Sequence, residues 1–181
     1  MSGIAMSDIS SIDPSTPGSV IATIPVGKSP RGIAFDSENG NVYVDNFGND
    51  TVSVISGQAD EIIGSPIAVM PHPIGIAFDS ENGNVYVTHN MMSGTVSVIS
   101  GQTNTVITTI SVGFGPVGIA FDSANGNVYV AEQDDSVKVI SGRNNTLIAS
   151  IPVREFPSGI AFDSANGNVY VTNSGDNSVS Q

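Results

Sequence analysis

The amino-acid sequence predicts an all-β protein assembled from repeated units. Among its 181 residues, 20 are Ile and 22 are Val, whereas Leu147 is the only leucine. Side chains branched at Cβ fit pleated strands and lose rotamer freedom in helices, so this choice of apolar residues favours strands. In addition, the 13-residue block GIAFDSENGNVYV starts at Gly32 and returns, with Glu replaced by Ala in the last two copies, at Gly75, Gly118 and Gly159.

Each repeat is predicted to contain four short antiparallel strands, named a to d. In the first repeat they cover residues 32–36, 41–44, 51–56 and 61–69. A Ser-Glu-Asn-Gly turn joins strands a and b, since its glycine can adopt the positive φ that a tight hairpin requires. Alternation places Val42 and Val44 on one face and Tyr43 on the other. Because both faces are apolar, each sheet must lie between two neighbours, and four strands per period of about 43 residues indicate β-propeller blades.

Four segments closely resemble the YVTN-repeat β-propellers: NVYVTN over 168–173, TVSVIS over 95–100, VITTI over 106–110 and GPVGIAFD over 115–122. The resemblance extends from about residue 7 to residue 181. It implies a propeller with homologues among secreted and cell-surface proteins, notably archaeal surface-layer proteins, and more distantly among lactonase-like and streptogramin-lyase-like enzymes. Because propellers host many functions on one scaffold, the resemblance implies no single activity.

The chain is expected to form one repeat domain over 1–181. Residues 32–74, 75–117 and 118–158 are blades 1 to 3. A shared blade combines inner strands from 159–181 with outer c and d strands from 1–31, at 9–13 and 19–26. Joining the two ends would remove exposed sheet edges. The sequence leaves three closures open: a preferred head-to-tail homodimer of eight blades, a closed four-bladed monomer, and a fragment of a longer array.

Charge and composition exclude several classes of partner. With 17 acidic and 5 basic residues, the net charge is −12, which argues against nucleic acid and anionic membranes as partners. The absence of cysteine excludes disulfides, thiolate zinc sites and thiol nucleophiles. No run of 18 apolar residues predicts membrane insertion. Residues 1–10 lack a signal-peptide pattern, so either the protein stays inside the cell or this chain lacks its export segment. The resemblance favours an extracellular or cell-surface location.

The candidate site lies on the connections that differ between repeats. In a propeller the d–a and b–c connections meet around the mouth of the central channel, and here they hold non-periodic aromatic, Met, His and basic residues. The candidate binding residues are Lys28, Arg31, Phe47, His72, His89, Phe114, Arg154 and Phe156. The cations before blades 1 and 4 become neighbours once the ends join. We therefore expect a protein or a small anionic ligand to bind near Arg31 and Arg154.

Other interpretations stay open at this point. Loops drift without function, and Phe114 or Phe156 could cap a seam between blades. His72 and His89 have no third ligand at diagnostic spacing, so neither a metal nor a cofactor is predicted. The repeated aspartates fail the pattern of calcium loops and are expected to stabilise turns. No catalytic motif appears. The preferred function is a non-enzymatic binding or adhesion module; a metal-assisted lactonase-like or lyase-like enzyme using His72 or His89, and a structural spacer, are the alternatives.

Overall fold

The computed structural model describes Gly18, Val20 and residues 22–181, and this part of the chain is all-β. Its strands are β1 (Pro30–Phe35), β2 (Asn41–Asn46), β3 (Thr51–Ser56), β4 (Glu61–Ile62), β5 (Ile67–Ala68), β6 (Pro73–Asp79), β7 (Asn84–His89), β8 (Gly94–Ser100), β9 (Thr105–Gly113), β10 (Pro116–Asp122), β11 (Asn127–Glu132), β12 (Ser136–Ser141), β13 (Thr146–Pro152), β14 (Pro157–Asp163), β15 (Asn168–Asn173) and β16 (Ser178–Ser180). No helix in the described part is long and apolar enough to cross a membrane.

The strands form four antiparallel sheets, which are the blades of a β-propeller. Blade 1 has the order β1-β2-β3-β4, with β5 also paired to β3. Blades 2 and 3 have the orders β6-β7-β8-β9 and β10-β11-β12-β13, and blade 4 has β14-β15-β16. The first strand of each blade packs on that of the next, in the order β1, β6, β10, β14. The predicted fold class is thereby confirmed, with the described blades arranged as an arc in chain order.

Strand a of the first repeat begins at Pro30 and ends at Phe35 instead of covering 32–36, and the larger differences concern strands b and d. Strand b continues to Asn46 instead of stopping at 44, because Asn46 still pairs with Pro30 and Thr51 on its two sides. The predicted strand over 61–69 is interrupted and yields only β4 and β5. The interruption has a backbone cause: Gly64 has a φ of +64°, and Pro66 has no N–H to donate to a ladder.

The shared blade is not seen in the described residues. The predicted strand over 9–13 and the first part of the strand over 19–26 lie outside them, and residues 22–26 carry no strand. As described, blade 4 therefore consists of three strands.

The core consists of layers between consecutive blades. In the first layer, Tyr43 and Val54 of blade 1 pack against Val85 of blade 2. The second layer joins Tyr86 of blade 2 to Val128 of blade 3. All five side chains are at most 1% exposed. Each inner blade thus buries apolar groups on both faces, as the strand pattern requires.

Hydrogen bonds cross the same layers at the end of the blades where strands a and b turn. Tyr43 donates its hydroxyl to Asn104 Oδ1 at 2.6 Å, and Tyr86 donates to Asn145 Oδ1 at 2.5 Å, in both cases in the next blade. Asp36 Oδ1 accepts the backbone N–H groups of its own turn, as do the equivalent aspartates in the other blades. These aspartates have the turn role expected from the sequence.

The tyrosine bonds predict a difference between two otherwise matched substitutions. Tyr86→Phe removes a buried donor and leaves Asn145 without it, so we expect a loss of about 1–2 kcal/mol in the free energy of unfolding. Tyr170 accepts a bond from Asn166 of its own blade, and Tyr170→Phe should change stability by less than about 0.5 kcal/mol. Urea unfolding of both variants measures the difference; equal losses would show that the cross-blade bond contributes nothing.

Candidate binding surface

The d–a and b–c connections lie against each other on one face of the arc. One backbone N–H of each b–c connection donates to a carbonyl of the d–a connection of the same blade at 3.0–3.2 Å. The donor–acceptor pairs are Phe47–Ser29, Asn90–His72, Gln133–Gly115 and Ser174–Phe156. The residues on these connections therefore form one continuous surface.

A left-handed backbone position recurs in every d–a connection. It is occupied by Ser29, His72, Gly115 and Phe156, with φ between 50° and 61°. This region suits glycine and is strained for His and Phe. Two aspartates from preceding blades hold these residues there: Asp50 Oδ1 accepts the N–H of His72, and Asp135 Oδ1 accepts the N–H of Phe156, each at 3.0 Å. We call these bonds the aspartate clips. They fix the exposed rings of His72 and Phe156 on the surface.

Three of the candidate residues form a stack that crosses from blade 1 to blade 2. The guanidinium carbon of Arg31 lies 3.8 Å from the centroid of the Phe47 ring. On blade 2, the His72 ring lies 5.2 Å from Phe47, centroid to centroid, with 22° between the planes. We call this set the Phe47 stack. Cation–π attraction and aromatic stacking fix a charged group and two rings in one orientation.

Lys28 lies beside the Phe47 stack. Its backbone N–H donates to Asn49 Oδ1 at 2.9 Å, and its carbonyl accepts the N–H of Gly48 at 2.8 Å. Lys28 and Arg31 are both exposed. Within the described part of the chain neither forms an ion pair, whereas Lys138 and Arg154 do. Blade 1 therefore presents two cations without an ion pair in the described residues, next to an aromatic ring.

A groove extends from the Phe47 stack towards blade 3. Besides His72, its lining includes Met91, Met92 and Phe114. Met92 is 84% exposed and Phe114 is 44% exposed. Exposed Met and Phe side chains in one groove offer an adaptable apolar contact surface. The surface thus changes from cationic at blade 1 to apolar at the junction of blades 2 and 3.

Arg154 and Phe156 lie before blade 4, away from the Phe47 stack and the groove. Arg154 Nε is 3.8 Å from Asp176 Oδ2, in a solvent-exposed pair. Blades 1 and 4 are the two ends of the described arc, so Arg154 is not brought to Lys28 and Arg31 within it. The three-cation corner depends on the ends meeting, and it stays a prediction.

His89 was predicted on the channel mouth, and this placement is wrong. The side chain is 0% exposed and its Nε2 lies 2.8 Å from Ser97 Oγ. Because strand b continues to residue 89, alternation turns this ring into the blade, and burial lowers its pKa to about 4. His72 stacks on Phe47 instead, so the two imidazoles have different surroundings. Among the described residues, no three His, Asp or Glu side chains gather as a metal site.

A buried polar position at the end of strand b was not predicted from the sequence. It is occupied by Asn46, His89, Glu132 and Asn173, all at most 1% exposed. A polar side chain of strand c contacts each one: Ser53, Ser97, Lys138 and Ser180. In blade 3 this pair is ionic, with 3.3 Å between Glu132 Oε2 and Lys138 Nζ. Burial raises the pKa of Glu132 to about 7, although Lys138 opposes the shift. Aligning the four repeats at this position would have revealed it.

Asp45 and Glu132 belong to strands β2 and β11, and both are buried. Asp45 Oδ2 accepts the backbone N–H of Gly32 at 2.9 Å. Burial raises the pKa of Asp45 to about 6, while the Gly32 bond and the nearby Arg31 charge lower it. Asp45 therefore adds no exposed carboxylate next to the Phe47 stack.

Comparisons with known proteins agree with this architecture. A sequence profile of the NHL repeat matches residues 155–181. No curated protein matches the chain significantly in sequence. The fold and its repeats define the chain as a β-propeller repeat protein.

Solved structures support the same class. Hydrazine synthase of Kuenenia stuttgartiensis is similar over 91% of this chain and 52% of its own, at 19% identity and a TM-score of 0.72. U3-55K is similar over 86% of this chain and 52% of its own, and the RRP9 WD40 repeats over 86% and 51%, each at 13% identity and a TM-score of 0.67. At these identities the likeness shows the fold alone. The chain spans about half the length of the structures it matches.

The buried His89 predicts a specific pH dependence of stability. Its folded pKa of about 4 lies below the ordinary 6.5, so the unfolded chain binds the proton more readily. The contribution of neutral His89 to the free energy of unfolding is fully present above pH 6.5. It is lost as the pH falls towards 4, by about 3 kcal/mol in total. Asp45 and Glu132 have raised pKa values and act in the opposite direction. The variant His89→Asn has at this position the asparagine found in blades 1 and 4. We expect it to lack the decrease in unfolding free energy that protonation of His89 causes.

Urea unfolding of the wild type and of His89→Asn between pH 4 and pH 7 measures the effect. The difference in unfolding free energy between the two proteins should change steadily across this range, since Asp45 and Glu132 are present in both. A difference that is constant with pH would contradict a buried neutral His89.

Proposed function

We propose that the chain is a non-enzymatic binding module that recognises a protein segment on the face containing the Phe47 stack. The observation that carries this proposal is the stack itself, where Arg31, Phe47 and His72 from two blades are ordered at the surface. An exposed, preorganised Arg–aromatic group next to an apolar groove has the composition of binding hot spots. WD40-type propellers, to which the fold is similar, commonly serve as protein-interaction scaffolds.

The charge distribution specifies the chemistry of the partner. On a chain with a net charge of −12, Lys28 and Arg31 form a local cationic corner without ion-pair partners in the described residues. An acidic side chain of a partner would find complementary charge there, while the surrounding negative field would repel a merely acidic protein. The adjacent groove with Met91, Met92 and Phe114 accepts an apolar side chain. The partner segment is therefore acidic at one end and apolar or aromatic at the other.

The finer family and the location are part of the same proposal. The YVTN-like motifs support a surface-layer type of propeller, placed outside the cell or on its surface, with adhesion as the biological role. The enzyme alternative loses one of its two named histidines, because His89 is buried against Ser97. The spacer alternative predicts that this face binds nothing.

A displayed library of random peptides tests the proposal directly. The probe is the library itself, selected against the immobilised chain and then sequenced. We expect enriched peptides to combine Asp or Glu with an apolar or aromatic residue a few positions away. Arg31→Glu should weaken their binding at least about tenfold, since it reverses the charge and breaks the cation–π contact.

Arg143→Glu is the matched control. Arg143 is also exposed but lies on the c–d turn of blade 3, away from the Phe47 stack. Arg143→Glu changes the net charge by the same amount as Arg31→Glu. If the peptides contact Arg31 directly, their affinity for Arg143→Glu should stay within about twofold of the wild type. Failure to enrich any peptide, or equal losses with both variants, would refute a binding site at the Phe47 stack.

A further inference from the structure

A buried carboxylate oxygen at the end of β6 in blade 2 has no partner among the described residues. Asp79, the last residue of this strand, is 0% exposed. Its Oδ1 accepts the backbone N–H groups of Glu81 and Asn82, at 2.9 Å and 3.3 Å, and so stabilises the a–b turn. Its Oδ2 is buried and accepts no hydrogen bond in the described part of the chain. Because a buried charged oxygen without a partner is costly, Oδ2 points to a ligand that neutralises it.

Two other oxygens lie close to Asp79 Oδ2, in the cleft between blades 2 and 3. A Cβ built on Gly142 would collide with Asp79 Oδ2 and would lie 2.7 Å from the carbonyl oxygen of Gly126. A Cβ built on Gly126 would lie 2.6 Å from Glu81 Oε2. Blade 3 therefore has glycine at the positions that the carboxylates of blade 2 approach. Two carboxylates and one backbone carbonyl are thereby brought to the same cleft.

The cleft is polar and has room for a hydrated ion. Its volume is about 450 Å³, and its lining includes the amide side chains of Asn82 and Asn125. Arg143 also lines the cleft, but within the described residues it forms no ion pair. The carboxylates of Asp79 and Glu81 are therefore not neutralised by this guanidinium.

The charges around Asp79 favour a cation as the ligand. Burial is the largest cause that raises the pKa of Asp79; two backbone hydrogen bonds oppose it, and the carboxylates of Glu81 and Glu38 raise the pKa further. A bound cation would neutralise the buried oxygen and reduce the repulsion between the carboxylates. Carboxylate and carbonyl oxygens are the ligands of calcium, which tolerates irregular geometry, whereas magnesium demands a nearly octahedral shell.

The four copies of the repeated block differ at this cleft. The residue two positions after the aspartate is Glu38 in blade 1 and Glu81 in blade 2, but Ala124 in blade 3 and Ala165 in blade 4. The alanine N–H groups still donate to the aspartates of their own turns. Alanine at this position is therefore compatible with the turn, and the second carboxylate has no role in forming it.

We propose that Asp79 Oδ2, the carboxylate of Glu81 and the carbonyl oxygen of Gly126 bind a calcium ion between blades 2 and 3. Water completes the shell of roughly six to eight oxygens that calcium takes. With two acidic side chains, the site is weak, with a dissociation constant of about 0.1–1 mM. The ion links two blades at the end opposite to the Phe47 stack, so the site is independent of the proposed peptide binding.

Terbium luminescence of the metal-free 181-residue chain tests the proposal. Terbium replaces calcium at oxygen sites, and its emission is sensitised by nearby tyrosines; the chain has no tryptophan. Asn82 Nδ2 donates to the Tyr86 hydroxyl at 3.0 Å. Asn125 Nδ2 donates to the Tyr129 hydroxyl, also at 3.0 Å, so two tyrosines lie next to the cleft. We expect saturable emission that calcium abolishes by displacement at concentrations where magnesium has little effect.

Three substitutions and a matched control locate the ion. Asp79→Asn keeps an oxygen for the turn but loses the second one, and Glu81→Ala introduces the alanine of blades 3 and 4; each should weaken binding at least about tenfold. Arg143→Glu should strengthen binding, since it replaces a cation of the cleft with a carboxylate. Glu61→Ala is the control, because Glu61 is exposed on β4 of blade 1 and its loss changes the net charge equally. Its affinity for terbium should stay within about twofold of the wild type.

Circular dichroism verifies that each variant keeps its strands. Three results would overturn the proposal: no saturable emission up to about ten times the expected dissociation constant, equal losses with Glu81→Ala and Glu61→Ala, or equal displacement by magnesium and calcium. Because the metal is the probe and the peptide library is not used, this experiment and the peptide selection can fail separately.

Discussion

The structure depends on one packing constraint: every blade has apolar side chains on both faces. Such a sheet is stable only between two neighbours, because each exposed face leaves Ile, Val and aromatic surface in water. In this chain the constraint is met by layers around Tyr43 and Tyr86, which also hydrogen-bond across the layer. The chain order of the blades, the arc and the apolar ends all follow from it.

The packing of the blades also determines where binding residues can differ between repeats. Strands a to c are nearly identical in every blade, so differences accumulate on the connections at one end. The aspartate clips hold two of these connections in strained left-handed conformations and thereby fix the rings of His72 and Phe156 at the surface. A repeated scaffold thus supports a surface that is not repeated.

Much of the fold could be predicted from the sequence because it rests on local patterns. The period, the glycine turns and the Val-Tyr-Val alternation define the blades without any long-range information. The burial of His89 and Glu132 could not be recognised locally, since a polar residue at the end of a strand resembles the start of a loop. These side chains are buried by connections arriving from the preceding blade. A Cβ at Gly113, for example, would collide with the carboxylate of Glu132. Similarly, the Phe47 stack joins residues from two blades, so only the folded arc brings Arg31, Phe47 and His72 together.

Amide hydrogen exchange of the monomeric chain tests the packing constraint most directly. The account predicts that amides of β1–β3 and β14–β16 exchange much faster than those of β7, β8, β11 and β12, because each end blade of the described arc has a neighbour on one face only. Equal protection of end and inner blades would contradict the requirement that each blade be covered on both faces.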